Sequence, residues 1–217
     1  MRQMTDELVD PADQAEALKT QTILNIGLVA LFVHLIGMAF RRPLVWLKCL
    51  KTTLALWIAS DVIFPRHLAY MAEACVLFNW TRRDGVDHIH AHFGTNSTTV
   101  AMLCHILGGP SYSFTVHGPE EFDKPIALSL RAKIERAKFV VAISDFGRSQ
   151  LYRWCSHKYW NKIHVVHCGL DSSFLNYQSS ISVPAEAKFV CVARLSEQKG
   201  HLLLLEAIKQ QIGRAHV

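Results

Sequence analysis

The chain has 217 residues, half of them hydrophobic and 19% charged, with 23 Lys and Arg against 18 Asp and Glu for a formal charge of +5. A mean hydropathy of +0.16 and a pI near 8.9 exclude intrinsic disorder, which needs few apolar residues and high net charge. Six Cys in this length exclude a disulfide miniprotein, and the charge is too mild for a nucleic-acid binder but suits an anionic membrane surface or a phosphorylated ligand.

Residues 1–85 read as a helical, membrane-associating part. Met1 to Lys19 is polar and acidic, so it is no signal peptide. Residues 23–40 are apolar apart from Asn25 and His34, and Arg41-Arg42-Pro43 follows. These 18 residues lie at the short end of a bilayer span. An ionisable His34 in mid-span is expensive, so a packed or surface-lying helix is favoured over a single transmembrane helix at 23–40. Residues 44–60 mix Trp46, Leu47, Leu50, Leu54 and Trp57 with Lys48 and Lys51, the pattern of a basic amphipathic helix with interfacial tryptophans. A third apolar helix is predicted over 67–80, with Arg82-Arg83 just beyond it.

From residue 86 the pattern alternates. Runs rich in Val, Ile, Phe and Ala predict strands at 86–92, 112–117, 138–144, 163–168 and 188–195. Helices are predicted over 98–107, 126–137, 146–155 (behind Ser144 as N-cap) and 201–209. Apolar strands separated by helices imply an α/β fold, with a parallel sheet covered on both faces that binds ligands at the carboxyl ends of its strands. A Rossmann-like domain is expected over 86–180. After the polar linker 176–184, a second domain opens near 185 and reaches only its first βα unit by residue 211, so the chain is expected to be incomplete at its C-terminus. The six Cys form no CxxC pair and read as buried reduced thiols, which points to a cytosolic protein.

Three sets of polar residues stand at or near strand ends. His88, His90 and His92 share one face of their strand; three imidazoles could bind zinc, but no carboxylate or Cys completes the set, and ligand-site or structural roles compete. His117-Gly118 followed by Glu120-Glu121 suits binding or proton transfer at a hydroxylated substrate, with a satisfied structural His as the alternative. Arg194 and Lys199 frame a strand end and a helix mouth, a place for a diphosphate.

The strings HIHAHFGTNSTTVA (88–101), SFTVHGPEEFD (113–123), AKFVVAISDFGRSQL (137–151), KIHVVHCGLD (162–171) and FVCVARLSEQKGH (189–201) resemble retaining glycosyltransferases of the GT-B type. The similarity is to the family-four group that includes colanic-acid and other exopolysaccharide transferases, and it runs from His88 to about Leu205. It implies two facing Rossmann-like domains, an acceptor side first and a nucleotide-sugar donor side second. Under it His117 lines the active-site cleft as the catalytic group, and Arg194 and Lys199 hold the donor diphosphate without a metal cofactor. His92, Gly94, Gly118 and Glu121 contact substrates, and Gly169 and Asp171 stand at the interdomain crossover. The implied partners are a nucleotide-sugar, a lipid-linked or glycan acceptor and an anionic membrane surface, but no nucleic acid. The implied place is the inner face of the cytoplasmic membrane. The family's paired-glutamate motif, opening strand and Gly-rich loop are not found in the sequence, so Met1 is read as an internal start and this chain alone is expected to be inactive. Residues 212–217 correspond to ATC GGA AGA GCA CAC GTC, the start of a common sequencing adapter, and are expected to be non-native. The alternatives are a non-catalytic α/β binding module and a zinc-dependent hydrolase using His88, His90 and His92.

Overall fold

The structure, a computed structural model, describes residues 9–170 and 189–212, and the chain divides after Gly169 into two compact units. The first begins with α1 (Pro11–Lys19), where Asp10 accepts a hydrogen bond from the Ala12 amide at 2.7 Å. The apolar run 23–40 is not one helix. A 3₁₀ turn (Ile23–Ile26) ends at Gly27, whose φ of +84° suits a residue without Cβ, and α2 (Leu28–Arg41) follows. With 14 residues, α2 is about 21 Å long, short of a hydrocarbon core of about 30 Å. Among the described residues no helix is long and apolar enough to cross a membrane.

Proline opens both α3 (Pro43–Ile58) and α4 (Phe64–Arg83), in the first turn where its missing N–H has no helical partner to lose. α4 is the spine of the helical layer: it packs on α2, α3 and the later helix α5 (Asn96–Ile106). It buries Met71, Ala74, Cys75, Val76 and Phe78. The mid-run His34 has a local explanation, since its Nδ1 accepts from Asn79 Nδ2 on α4 at 2.7 Å. Of the basic pair after α2, Arg42 turns inward, donating to the Leu107 carbonyl at 3.0 Å and lying 5.5 Å from the Phe78 ring centre.

Four parallel strands follow in the order β1 (His88–His92), β2 (Ser111–Val116), β3 (Val140–Ala142) and β4 (Ile163–Val165). They are connected by α5, by α6 (Glu120–Asp123) and α7 (Leu130–Arg136), and by α8 (Asp145–Arg153). Sequential parallel strands with right-handed crossovers place their helices on one face. That face holds the core: Ala91, Tyr112, Phe114, Val116, Val140, Ala142 and Ile163 are buried. The strands are therefore not apolar throughout, although Ser113 and Thr115 on the second face are also buried. On the opposite face, alternate positions present His88, His90, Ser111, Ser113 and Thr115, and His90 and His92 are exposed.

Ser144 caps α8 as predicted, accepting from the Gly147 amide at 3.1 Å. The helix expected over 126–137 starts only at Leu130. Pro125 instead opens a turn in which Ser129 has φ +51° and the Leu130 amide bonds the Pro125 carbonyl at 2.9 Å. Of the free thiols, Cys49, Cys75 and Cys104 are buried, whereas Cys168 and Cys191 are exposed, against expectation.

In the second unit residues 189–195 form no strand and bend at Ala193 and Leu195; no other described segment of this unit offers a ladder to pair with. A 3₁₀ turn (Glu197–Lys199), Gly200 at φ +64° and α9 (His201–Ile212) follow. The linker 176–184, Asp171, Lys188 and the tail 213–217 lie outside the described residues.

Candidate functional site at the carboxyl ends of the strands

β1 and β2 run side by side in the register His88↔Ser111, His90↔Ser113 and His92↔Thr115. Cross-strand neighbours on one face then touch. His88 bonds Ser111 Oγ through Nδ1 (2.8 Å) and Ser113 Oγ through Nε2 (2.7 Å). His90 bonds Ser113 Oγ through Nδ1 (2.7 Å) and Thr115 Oγ1 through Nε2 (2.8 Å). Phe139 stacks on His88, with ring centres 5.6 Å apart. Partial desolvation holds the His90 imidazole below its ordinary pKa although the residue is exposed overall, with His92, His88 and His117 adding to that in turn. These nitrogens are taken up by hydroxyls along a row rather than converging on one point. Among the described residues no group of three or more His, Cys, Asp or Glu is arranged to hold a metal ion. The zinc reading of His88, His90 and His92 is therefore corrected: two of the three are parts of a polar ladder.

His92 belongs to a different pairing. It stands at the end of β1, and its Nδ1 lies 2.9 Å from Nε2 of His117, just beyond the end of β2. Phe93 packs against the His117 ring, with centres 4.6 Å apart. Phe93 has φ +68°, a conformation that an aromatic residue adopts only at a cost of about 1–3 kcal/mol. The loop is held by Phe93 N–H to the Thr115 carbonyl (2.8 Å), Thr98 Oγ1 to the Phe93 carbonyl (2.6 Å) and Ser97 Oγ to the His92 carbonyl (2.6 Å). Over-determined strain of this kind clusters at functional sites in proteins generally.

Beneath these loops lie two charged side chains. Glu121, on α6, is 2% exposed. Its carboxylate accepts from the backbone N–H groups of Gly94, His117 (2.6 Å) and Gly118 (3.2 Å). Lys133, on α7, is 1% exposed and donates to the carbonyls of Gly94 (2.9 Å) and Thr95 (2.8 Å). Burial pushes the Lys133 ammonium down to about 7, opposed by the charge of Glu121. A Cβ on Gly94 would sit 3.0 Å from Glu121 Oε1 and 3.3 Å from Leu130 Cδ1. The close approach that this glycine allows is thus made by Glu121. A Cβ on Gly118 would meet nothing within 4 Å.

His92, Gly94, His117, Gly118 and Glu121 are thus together at the ends of β1 and β2. Arg194 and Lys199 belong to the second unit, where both are exposed. There His201 Nε2–H donates to the Arg194 carbonyl at 2.8 Å, which ties the segment 189–195 to the start of α9. Sequence reasoning pointed to the strand end 92–94 but gave Phe93 no role, and it missed Lys133. Lys133 follows Leu130 by three and precedes Ile134 and Ala137 by one and four, so it falls on the apolar stripe of its helix, a signal available from spacing alone.

A family model described as Glycosyltransferase Family 4 matches residues 35–174, more than half of the chain, from within α2 to beyond β4. A search of curated proteins finds no match.

Proposed function

Because the chain belongs to glycosyltransferase family 4, we propose that it moves a sugar from a nucleotide-sugar donor to a lipid-linked or polysaccharide acceptor, with retention, in the synthesis of an exopolysaccharide or other cell-surface glycan. The observation that supports this best is the His92–His117 pair, at the strand ends where open parallel sheets bind their ligands. In a pair of neutral imidazoles one nitrogen donates and the other accepts. If His92 Nδ1–H donates to His117 Nε2, then His117 carries its own proton on Nδ1 and offers it to a sugar oxygen. In the opposite arrangement His117 Nδ1 accepts from a sugar hydroxyl. Either way the pair reads one hydroxyl, and Phe93 blocks one side of the ring.

Arg194 and Lys199 are assigned to the donor diphosphate. The leaving nucleoside diphosphate gains negative charge in the transition state, and two fixed cations stabilise that charge in this reading without a metal. In the full-length protein, His117→Ala, Arg194→Ala and Lys199→Ala are each expected to lower sugar transfer by roughly 10²–10³-fold, read as product formed from radiolabelled nucleotide-sugar. Undiminished transfer in all three variants would reject these roles. No transfer by the unmodified protein would favour a binding module.

The protein is placed, in the same reading, at the inner face of the cytoplasmic membrane, as a peripheral enzyme. Leu28, Val29, Phe32, Val33 and Phe40 of α2 and Leu44, Leu47 and Ile58 of α3 are exposed, and α3 adds Lys48 and Lys51. Apolar surface of this extent beside lysines suits the boundary of an anionic bilayer. The chain is expected to float with vesicles containing phosphatidylglycerol and to remain behind with phosphatidylcholine alone. Equal behaviour with both lipids would remove the electrostatic part of this assignment.

A further inference from the structure

We infer that Glu121 and Lys133 are the positioning residues of this site: they grip the backbone of Gly94 from its N–H and its C=O sides and so fix the imidazoles of His92 and His117. The inference rests on reading those imidazoles as substrate-facing. Neither charge reaches substrate, since both side chains are almost wholly buried. Buried charge is costly where apolar side chains of similar volume would fill the space. The groups that these two side chains satisfy explain why the charges are there.

β1 ends at His92 and β2 at Val116, so the N–H groups of Gly94, His117 and Gly118 lie past the ladder and have no strand partner. Left buried and unpaired, they would be unfavourable. Gly118-Pro119 turns the chain back so that Glu121, four residues after His117, brings one carboxylate against all three. Lys133 completes the grip from the carbonyl side, at Gly94 and Thr95. A neutral amine keeps two N–H donors, so both bonds survive loss of the lysine proton. One residue is thereby held by its N–H and its C=O, between a carboxylate on α6 and an amine on α7. The same carboxylate holds the backbone of His117 itself, and the same loop carries Phe93 onto the His117 ring. The two catalytic-side loops are in this way fastened to each other and to the helices beneath. Gly94 is the residue that makes the approach sterically open.

The test is nuclear magnetic resonance of the 217-residue chain. In the unmodified protein the amide protons of Gly94, His117 and Gly118 are expected far downfield and slow to exchange, as partners of a carboxylate. Glu121→Gln keeps the shape and is expected to move all three upfield together and to shift the ring ¹⁵N resonances of His92 and His117. Lys133→Met is expected to move the same ring resonances, and Lys133→Arg to return them towards the unmodified positions. Leu151→Ala, a buried change in α8, weakens the fold but is expected to leave those rings in place. Fast exchange of the three amides in the unmodified chain overturns the inference without any variant. So do ring resonances that stay fixed in both Glu121→Gln and Lys133→Met; should Lys133→Met not fold, Glu121→Gln decides. If the rings move as expected while His117→Ala leaves sugar transfer intact, the positioning role stands and the catalytic reading of His117 falls.

Discussion

Glu121→Ala is expected to cost about 3–5 kcal/mol of folding stability, measured as a lowered midpoint in urea. The substitution removes one acceptor from three backbone N–H groups at once and takes away the negative charge that faces Lys133. Each unsatisfied buried donor carries a penalty of about 1–3 kcal/mol, which is not additive within one cluster. Against a typical stability of about 5–15 kcal/mol, this brings the domain near to unfolding. Glu121→Gln keeps an oxygen and the side-chain volume, so roughly half that loss is expected of it. A cost for Glu121→Ala within about 0.5 kcal/mol, the range of ordinary surface substitutions, would show that the carboxylate does not hold these loops.

Stability is expected to rise with pH from about 7 to about 8.5, and Lys133 is the cause. Its amine is pushed down to about 7 in the folded chain from 10.5. Between those values the unfolded chain binds a proton that the folded chain lacks, so ∂ΔG/∂pH is positive. The slope for one such group approaches about 1.4 kcal/mol per pH unit. Below about 7 both states carry the proton and the desolvation cost is constant. From about pH 9 the trend reverses. Burial raises the thiols of Cys49, Cys75 and Cys104 from 9.0 to about 12, so they keep protons that the unfolded thiols release, and ΔG falls. Urea midpoints taken from pH 6 to 10 should therefore describe a dome. Lys133→Met is expected to remove its rising side and leave the falling side. A flat profile between pH 7 and 8.5 in the unmodified chain would mean that the amine keeps its proton in the fold.

What the sequence displayed and what it concealed divide along physical lines. Short β-branched runs ending in His or Gly placed the four strands of the sheet, and Ser144 placed the start of α8, because strand propensity and capping act over a few residues. The segment 189–195 has a similar composition to those strands but forms none. A strand is completed by hydrogen bonds from a neighbour that its own residues do not encode. The helix expected over 126–137 was shortened by Pro125, which favours a turn before it permits a helix. The strand-end histidines were visible as a pattern, yet their separation into a ladder and a site pair needed the register of β2. Glu121 was read as a substrate contact because acidic residues after His-Gly suit a hydroxylated substrate and the family resemblance implied it. Glu121 is instead buried, and it meets Gly94 where Leu130 and Phe114, from other parts of the chain, also approach.

The ladder on the sheet's other face has a consequence for where its protons can reside. Ser113 Oγ lies between His88 Nε2 and His90 Nδ1, and a hydroxyl has a single hydrogen to give. If it gives that hydrogen to His88, then His88 is protonated at Nδ1, and His90 must supply its own Nδ1 hydrogen to the serine oxygen. If it turns to His90 instead, both rings hold their hydrogen at Nε2. The two histidines therefore share one tautomer, and a single rotating serine switches both rings together.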